Sequence, residues 1–271
     1  MKISGKVALV LGASKGIGKS IALALAREGA SLILPYFDWP EHTRATMAEL
    51  AAQSSDHLFI ETDLRNPEQV KDLLATIKQR YGKLHILINN IERGGMPIVH
   101  GPYTPEQWDL EMATTLKAKW WVFHHALPLL KSAQEGAVVT LSSIAGRIGR
   151  SGPAGMIFND GYSAANRAVS SFTETWAREA APLVRVNELM LGFFETRHAE
   201  QTRGWALLSE QEKQAIINHT LLKRTGQLDE VVRTVLFLLK DATFMTGSTI
   251  ILDGGYLLGN SEVPPMPTGV L

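Results

Sequence analysis

Short runs of apolar, mostly β-branched residues alternate along the chain with longer segments of mixed polarity. The apolar runs that predict strands cover residues 7–11, 31–35, 57–61, 84–89, 137–142, 185–190 and 249–252. Between them, apolar residues recur at helical spacing over 17–28, 41–52, 67–81, 105–132, 161–180 and 228–239. Strands that are apolar throughout are buried on both faces, as in a parallel sheet covered by helices. The alternation therefore predicts one α/β domain built on a doubly wound parallel sheet of about seven strands.

No linker or internal repeat divides the chain, so residues 1–260 are predicted to form one domain, followed by an irregular, proline-containing tail over 261–271. Polar residues over 192–220 interrupt the alternation after the sixth predicted strand. Open α/β sheets build lids and substrate pockets from insertions placed after the carboxyl end of a strand. We therefore expect this segment to cover a binding site.

Composition narrows the class of protein. The 27 Lys and Arg residues equal the 27 Asp and Glu residues, so no positive excess predicts nucleic-acid binding. The chain has no cysteine, which excludes disulfides, thiolate zinc sites and cysteine nucleophiles. No apolar stretch reaches the ~20 residues of a membrane span, and the N-terminus does not fit a signal peptide. We expect a cytoplasmic protein without membrane or nucleic-acid partners.

A glycine-rich turn follows the first predicted strand and leads into a helix: Gly12-Ala13-Ser14-Lys15-Gly16-Ile17-Gly18. Glycines let the backbone turn tightly and approach a diphosphate, whose charge then meets the free N–H groups of the helix N-terminus. A glycine string alone is weak grounds for such a site. The strand before it and the helix after it are the required context. Residues 12–18 are therefore predicted to bind a dinucleotide.

Several further motifs follow in an order that resembles the short-chain dehydrogenase/reductase family, over residues 5 to about 259. They are Asp63-Leu64, Asn89-Asn90, Ser142 to Gly146, Tyr162, Gly192 to Thr196, and Asp253 to Gly255. The resemblance implies a Rossmann-type domain, a homodimer or homotetramer, and hydride transfer between NAD(P)(H) and a hydroxy or oxo small-molecule substrate. It also implies cofactor contacts from Asp63, Leu64, Asn89, Asn90, Gly192 and Thr196.

Catalytic roles follow from the same resemblance. The family uses a tyrosine as acid or base, here Tyr162, and a serine that holds the substrate oxygen, here Ser143. Its lysine, which lowers the pKa of the tyrosine and holds the nicotinamide ribose, is replaced by Asn166. Its helix asparagine, which supports a proton-relay water, is replaced by Thr115. The loop over 147–161 is longer than usual, and Glu92 places a negative charge beside the expected cofactor path.

The choice of nicotinamide depends on the end of the second strand. An acidic residue there accepts the ribose hydroxyls of NAD and repels the 2′-phosphate of NADP. The usual acidic position falls on Tyr36, and Asp38 lies two residues later. Lys15 occupies a place where NADP-dependent family members have a basic residue. We expect NADP in preference to NAD.

Three functions remain compatible with these residues. The first is an NAD(P)-dependent oxidoreductase, with an acyl or ring ketone as substrate because residues 147–161 and 192–220 contain several aromatic and apolar side chains. The second is a catalytically impaired scaffold subunit, in a hetero-oligomer with an active relative. The third is a lyase or isomerase. Three lid residues offer substitute bases: Glu195, His198 and His219. The adjacent His124 and His125 point to different faces of a helix, so no metal site is expected.

Overall fold

The computed structural model describes residues 1–53, 56–92, 104–196, 205 and 208–269. Its sheet contains seven strands, all parallel, in the order β3-β2-β1-β4-β5-β6-β7. The strands are β1 (Val7–Val10), β2 (Ser31–Tyr36), β3 (His57–Glu61), β4 (Ile86–Asn89), β5 (Gly136–Ser143), β6 (Val184–Leu191) and β7 (Thr249–Leu252). The order reverses between β1 and β4, where an open α/β sheet forms its binding crevice. The predicted doubly wound parallel sheet is confirmed.

Helices connect the strands and cover both faces of the sheet. They are α1 (Gly16–Arg27), α2 (Pro40–Ala51), α3 (Pro67–Tyr81), α4 (Pro105–Glu111), α5 (Ala118–Ser132), α6 (Ala145–Ile148), α7 (Asp160–Ala180), α8 (Glu210–His219) and α9 (Leu228–Lys240). Side chains of α1 and α9 pack in one core cluster. Side chains of α3, α5 and α7 pack in the cluster on the opposite face.

Successive strand residues serve these two layers in turn, because the side chains of a strand alternate between its faces. In β1, Ala8 and Val10 belong to the cluster with α1 and α9. Val7 and Leu9 belong to the cluster with α3, α5 and α7. Both faces of the sheet therefore need apolar residues, which explains why the strands are apolar throughout.

The predicted continuous helix over 105–132 is wrong in detail. Between α4 and α5 the chain forms a π-helical segment, Met112–Lys117. The hydroxyl of Thr114 donates to the carbonyl oxygens of Leu110 (2.8 Å) and Glu111 (3.3 Å) within it. Threonine hydroxyls compete with backbone N–H groups for such carbonyls. Single π-turns inside helices are frequent at functional sites, and this one adjoins the cleft described below.

The two irregular segments contain short elements that the apolar periodicity does not predict. Residues 147–161 include a 3₁₀ turn, Gly152–Met156, after α6. Helix α8 lies within the predicted lid, of which residues 197–204 and 206–207 are outside the described part of the chain. A third apolar cluster joins this region to α6 and α7. Among the described helices, none is long and apolar enough to cross a membrane.

Candidate active site

A cleft opens at the carboxyl ends of the strands, where the order of the sheet reverses. It extends from the glycine turn, past the end of β2, to the end of β5 and the start of α7. Its lining includes these predicted site residues: Gly12, Ser14, Lys15, Gly16, Ile17, Gly18, Asp38, Asp63, Leu64, Asn90, Ser143, Tyr162, Gly192 and Thr196. The fold therefore brings most of the predicted site together at one edge of the sheet.

The glycine turn is tightly packed, and its geometry requires glycine. Gly12 has a left-handed backbone (φ +64°), and a Cβ on it would lie 2.5 Å from the backbone oxygen of Asn90. A Cβ on Gly18 would lie 2.1 Å from the backbone oxygen of Gly12. Gly16 (φ +57°) begins α1, and a Cβ on it would meet nothing within 4 Å. The turn is thus closed on its protein side and open toward the cleft.

Helix α2 and the residue after β4 hold the turn in place. The hydroxyl of Thr43 donates to Ser14 Oγ (2.9 Å), and that of Thr46 donates to the Ser14 backbone oxygen (2.9 Å). The Asn90 amide donates to the Gly12 backbone oxygen at 3.5 Å. These contacts hold the turn where Gly16, Ile17 and Gly18, at the start of α1, line the cleft. The free N–H groups of a helix N-terminus are what a diphosphate site requires.

Charged and aromatic side chains surround the far end of the cleft, beyond β2 and β3. The Arg65 guanidinium donates to both carboxylate oxygens of Asp63, at 2.8 and 2.7 Å. This pairing holds the pKa of Asp63 below its usual value. Lys15 Nζ lies 3.3 Å from the centre of the Trp39 ring. Trp39 itself has a left-handed backbone (φ 65°), a conformation that is costly for a bulky residue and concentrates at functional sites.

Ser143 and Tyr162 meet at the other end. Ser143 ends β5, and Tyr162 lies in the first turn of α7, where its N–H donates to the capping Asn159 Oδ1 (2.8 Å). The Tyr162 side chain is only 2% exposed, and it lines the cleft together with Ser143 and Glu92. A phenol and a hydroxyl that converge on one cleft can bind and protonate a carbonyl oxygen.

Comparisons with known proteins identify this arrangement. Residues 12–257 match the family model described as enoyl-(acyl carrier protein) reductase. The chain belongs to the short-chain dehydrogenase/reductase family. It is 32% identical over 254 residues to the 3-oxoacyl-[acyl-carrier-protein] reductase FabG of Staphylococcus aureus, covering 92% of this chain and 97% of the relative.

Two other members of the family support the same assignment. Cyclohexanol dehydrogenase from Acinetobacter sp. is 32% identical over 258 residues, covering 94% of this chain and 96% of the relative. The solved structure of NADPH-dependent 3-quinuclidinone reductase from Rhodotorula rubra superposes with a TM-score of 0.81 at 25% identity. The superposition covers 95% of this chain and 93% of the chain of that reductase. The predicted oxidoreductase activity, with a nicotinamide cofactor, is confirmed at the level of the family.

The cleft fits the nicotinamide dinucleotide that the family uses. Its tight glycine turn, the exposed start of α1 and the polar groups beyond β2 match a diphosphate and an adenosine. Asn89 does not fit the predicted role, since it is fully buried and absent from the cleft lining. Its Nδ2 donates to the backbone oxygen of Lys119 (3.1 Å), so it links β4 to α5.

Asn166, predicted to replace the family lysine, is fully buried and does not line the cleft. Its Nδ2 donates to the Tyr162 backbone oxygen one turn earlier (3.0 Å), and its buried Oδ1 has no hydrogen-bond partner. A neutral amide also supplies no charge to stabilise an ionised phenol. Burial and the adjacent Glu92 carboxylate together hold the pKa of Tyr162 well above its usual value.

Thr115, predicted to replace the family asparagine, is also fully buried and does not line the cleft. Its hydroxyl donates to Glu111 Oε1, and it is Thr114, one residue earlier, that lines the cleft. The π-helical segment contains both residues, and it separates their side chains between the core and the cleft. The continuous α-helix that the sequence predicts does not indicate that Thr114, and not Thr115, lines the cleft.

A buried charge cluster lies behind the cleft, and the sequence motifs do not indicate it. Lys119 is fully buried, and its Nζ donates to the Leu141 backbone oxygen (2.9 Å). Burial lowers its pKa, against the attraction of Glu92, Glu111 and Glu188. The carboxylate of Glu188 accepts hydroxyl hydrogen bonds from Ser142 and Thr249.

The substitute bases suggested in the lid do not converge on Tyr162 in the described residues. Glu195 accepts a hydrogen bond from the Thr225 hydroxyl (2.9 Å), and His219 packs against the Tyr256 ring at 4.6 Å between centroids. His198 lies outside the described residues. Glu92, which the sequence predicts only as a negative charge beside the cofactor path, lines the cleft two residues after Asn90.

Proposed function

We propose that the protein reduces an apolar ketone with NADPH, or oxidises the corresponding alcohol with NADP⁺. The observation that carries this proposal is the continuity of the cleft. One surface joins the glycine turn, the Ser143–Tyr162 pair and an aromatic wall of Phe158, Phe193 and Trp205. A dinucleotide bound along the turn and a ketone against the wall would then meet at Tyr162.

The cofactor would be held by groups along the whole cleft. The N–H groups at the start of α1 would bind the diphosphate, Asp63 and Leu64 the adenine, and Asn90, Gly192 and Thr196 the nicotinamide half. When bound, the nicotinamide supplies or accepts the hydride. Asn89 bonds to the backbone of α5 and would act on the cofactor only through the position of Asn90.

The protein's own residues would orient the substrate and handle the proton. The Ser143 hydroxyl would donate to the substrate oxygen, and the Tyr162 hydroxyl would donate the proton that the oxygen takes up during reduction. The aromatic wall would exclude water from the reacting carbon. Asn166 and Thr115 would contribute by fixing α7 and the π-helical segment, since their side chains bond within their own helices.

Two basic groups favour NADP over NAD. Lys15 and Arg65 both line the cleft beyond the end of β2, where the adenosine ribose would lie. A 2′-phosphate is dianionic or nearly so, and cations beside it stabilise it. Asp38 lines the same region and would oppose this preference. The quinuclidinone reductase of similar structure is named as NADPH-dependent.

The aromatic wall favours an apolar oxo compound. Phe158 and Phe193 are stacked with their ring centres 5.6 Å apart, and Phe193 also contacts Tyr256 at 5.0 Å. Such a wall binds apolar groups through burial of their surface. The names of the relatives include a 3-oxoacyl-[acyl-carrier-protein] reductase and a cyclohexanol dehydrogenase, so acyl and ring ketones are the first substrates to test.

The neutral Asn166 favours one alternative, a scaffold subunit that has lost hydride transfer and pairs with an active relative. An Asn166→Lys variant distinguishes the two. A large rise in reductase rate would mean that the site is otherwise intact, whereas no rise from an inactive wild type would favour the scaffold.

The deciding experiment is titration of the purified protein with NADPH and with NADH, in which binding is measured by nicotinamide fluorescence and by calorimetry. We expect micromolar binding, tighter for NADPH, and turnover of acyl or cyclic ketones that is lost in Tyr162→Phe and reduced in Ser143→Ala. A folded protein that binds neither dinucleotide would refute hydride transfer by this chain.

A further inference from the structure

The end of β5 carries the serine that would hold the substrate oxygen, and its two neighbouring strands do not support it equally. On one side the pairing with β6 continues as far as Ser143 and Leu191. On the other side the pairing with β4 stops at Asn89 and Thr140. The stretch from Leu141 to Ser143 lines the cleft. In the described part of the sheet, it therefore has a paired strand on the β6 side alone.

A buried lysine occupies the side that β4 leaves open. The Ala137 N–H donates to the backbone oxygen of His85, just before β4 (2.9 Å). Alternate residues of a strand direct their backbone groups to the same edge, so the Leu141 carbonyl also faces the β4 side. Its oxygen accepts a hydrogen bond from Lys119 Nζ, which reaches it from α5 (2.9 Å). The lysine thus replaces the strand N–H that β4 no longer supplies.

Lys119 is itself attached to the end of β4. Asn89 Nδ2 donates to the Lys119 backbone oxygen (3.1 Å), and the lysine side chain is fully buried. Burying an ammonium group is costly, and an apolar side chain of similar length would fill the same space at a lower cost. An apolar residue could not provide the hydrogen bond to Leu141. That hydrogen bond is therefore the feature that distinguishes a lysine at this position.

The residues after Leu141 show why the position of this strand end matters. The Ser142 hydroxyl donates to the Glu188 carboxylate in β6, which attaches the strand on its other side. Ser143 follows directly, and its Oγ accepts the Ala145 N–H (3.1 Å). A serine hydroxyl that accepts one hydrogen bond still has its own hydrogen to donate to a substrate oxygen. The direction of that hydroxyl depends on where the last residues of β5 lie.

We infer that Lys119 is a positioning residue, which holds the end of β5 so that the Ser143 hydroxyl meets the substrate oxygen. The inference deepens the proposed function and rests on it. Lys119 is buried and does not line the cleft, so it acts through the strand and not on the substrate. Two residues of backbone separate the Leu141 carbonyl from Ser143. A displacement of about 1 Å at a reacting group can cost about 100-fold in rate.

The first test is Lys119→Met, which keeps the length of the side chain and removes the donor. We expect kcat for ketone reduction to fall about tenfold or more, while the Kd of NADPH changes by less than about threefold. Lys117→Met, which removes an exposed lysine two residues earlier, is the matched control and should keep the wild-type rate. A wild-type kcat in Lys119→Met would overturn the inference.

A second background separates positioning from a general loosening of the fold. If Lys119 acts through Ser143, then Lys119→Met should lower kcat by less than about twofold in a Ser143→Ala protein, because the group that it positions is already absent. Equal losses of kcat in the two backgrounds would show that the lysine acts elsewhere, and they would overturn the inference.

A third comparison controls for the charge that Lys119→Met leaves behind. Glu188 is fully buried and attracts Lys119, so its carboxylate loses a favourable interaction in that variant. Lys119→Met combined with Glu188→Gln removes both charges, which also makes it the variant to use if Lys119→Met does not fold. Compared with Glu188→Gln alone, the combined variant should still lose about tenfold in kcat. A kcat equal to that of Glu188→Gln would overturn the inference.

Hydrogen exchange tests the attachment of the strand without any turnover. The Ile144 N–H donates to the Leu191 backbone oxygen (2.9 Å) at the end of β5. Its exchange, followed by mass spectrometry of the peptide around Ser143, should be at least about tenfold faster in Lys119→Met than in wild type. Unchanged exchange would overturn the inference even if kcat fell.

The outcomes also separate this inference from the proposed function. If wild type bound neither dinucleotide or reduced no ketone, the proposed function would fail, and the role of Lys119 in that reaction would fail with it. If wild type were active and Lys119→Met matched it in kcat and in exchange, the proposed function would stand and this inference alone would be overturned.

Discussion

His85 carries a buried imidazole, and its burial favours the neutral form. It precedes β4 and is 5% exposed, and the Val7 N–H donates to its Nδ1 (3.1 Å). The backbone N–H of His85 donates to the Val7 backbone oxygen (2.9 Å), so both the backbone and the ring of His85 bond to Val7 in β1. Burial, followed by the charges of Lys6 and Lys83, lowers the pKa of His85 to about 4. Protonation of Nδ1 would turn this acceptor into a donor, which would then face the Val7 N–H.

The size of the effect follows from where the proton binds in each state. The unfolded imidazole takes up its proton near pH 6.5 and the folded one near about 4. Between these values the unfolded chain binds more protons than the folded one, so the stability of the folded protein falls as the pH falls. The whole interval corresponds to about 3 kcal/mol of unfolding free energy, of which about 2 kcal/mol is lost between about pH 7.5 and pH 5. Below about pH 4 this contribution should level off.

The assay is urea unfolding of wild type and His85→Asn at about pH 7.5 and about pH 5, at one protein concentration. Asparagine keeps an acceptor near the position of Nδ1 but does not titrate. The loss of stability on acidification should be about 2 kcal/mol smaller in the variant. His42→Asn, on the exposed surface of α2, is the matched control. Equal acid sensitivity of wild type and His85→Asn would refute the reasoning.

Three further predictions follow from other parts of the molecule. Gly18→Ala would place a Cβ 2.1 Å from the Gly12 backbone oxygen, so NADPH affinity should fall more than about tenfold in fluorescence titrations; unchanged affinity would show that the turn does not hold the cofactor. Tyr256→Phe removes the acceptor of the Ala154 N–H (3.0 Å), which should raise KM for the ketone and leave the Kd of NADPH unchanged; an unaltered KM would contradict a role for this contact. Trp120, 37% exposed on α5, is expected in the subunit contact, so Trp120→Glu should lower the mass measured by light scattering, and a wild-type mass would refute this.

The fold could be predicted from the sequence because each signal is local and repeated. A strand such as β1 must be apolar at every position to serve two layers, and the glycine turn must follow it directly for the backbone to reach a diphosphate. The cleft residues of these motifs lie where the pattern places them, as Ser143 and Tyr162 do. The periodicity did not reveal the π-helical segment, because one extra residue per turn changes which threonine reaches the cleft while leaving the apolar spacing nearly intact.

The chemistry of Glu92 and Lys119 could not be read from the sequence for a different reason. A charged residue in a helix or loop is most often solvated, and only the three-dimensional structure shows that Lys119 is fully buried beside three carboxylates. Similarly, Asn166 was predicted at the cofactor, but its amide bonds within its own helix. Burial and partner choice depend on residues far apart in the sequence, which no local pattern records.

Two replacements that the sequence predicts in the family's motifs act in one direction on one group. A neutral Asn166 in place of the expected lysine leaves Tyr162 without that positive charge, and the negative charge of Glu92 favours the protonated phenol. Two unrelated losses would affect binding, charge and packing without a common direction, whereas both of these changes favour a neutral phenol. A neutral phenol in the same cleft as the Ser143 hydroxyl can still donate a proton to a substrate oxygen, which is what carbonyl reduction asks of it.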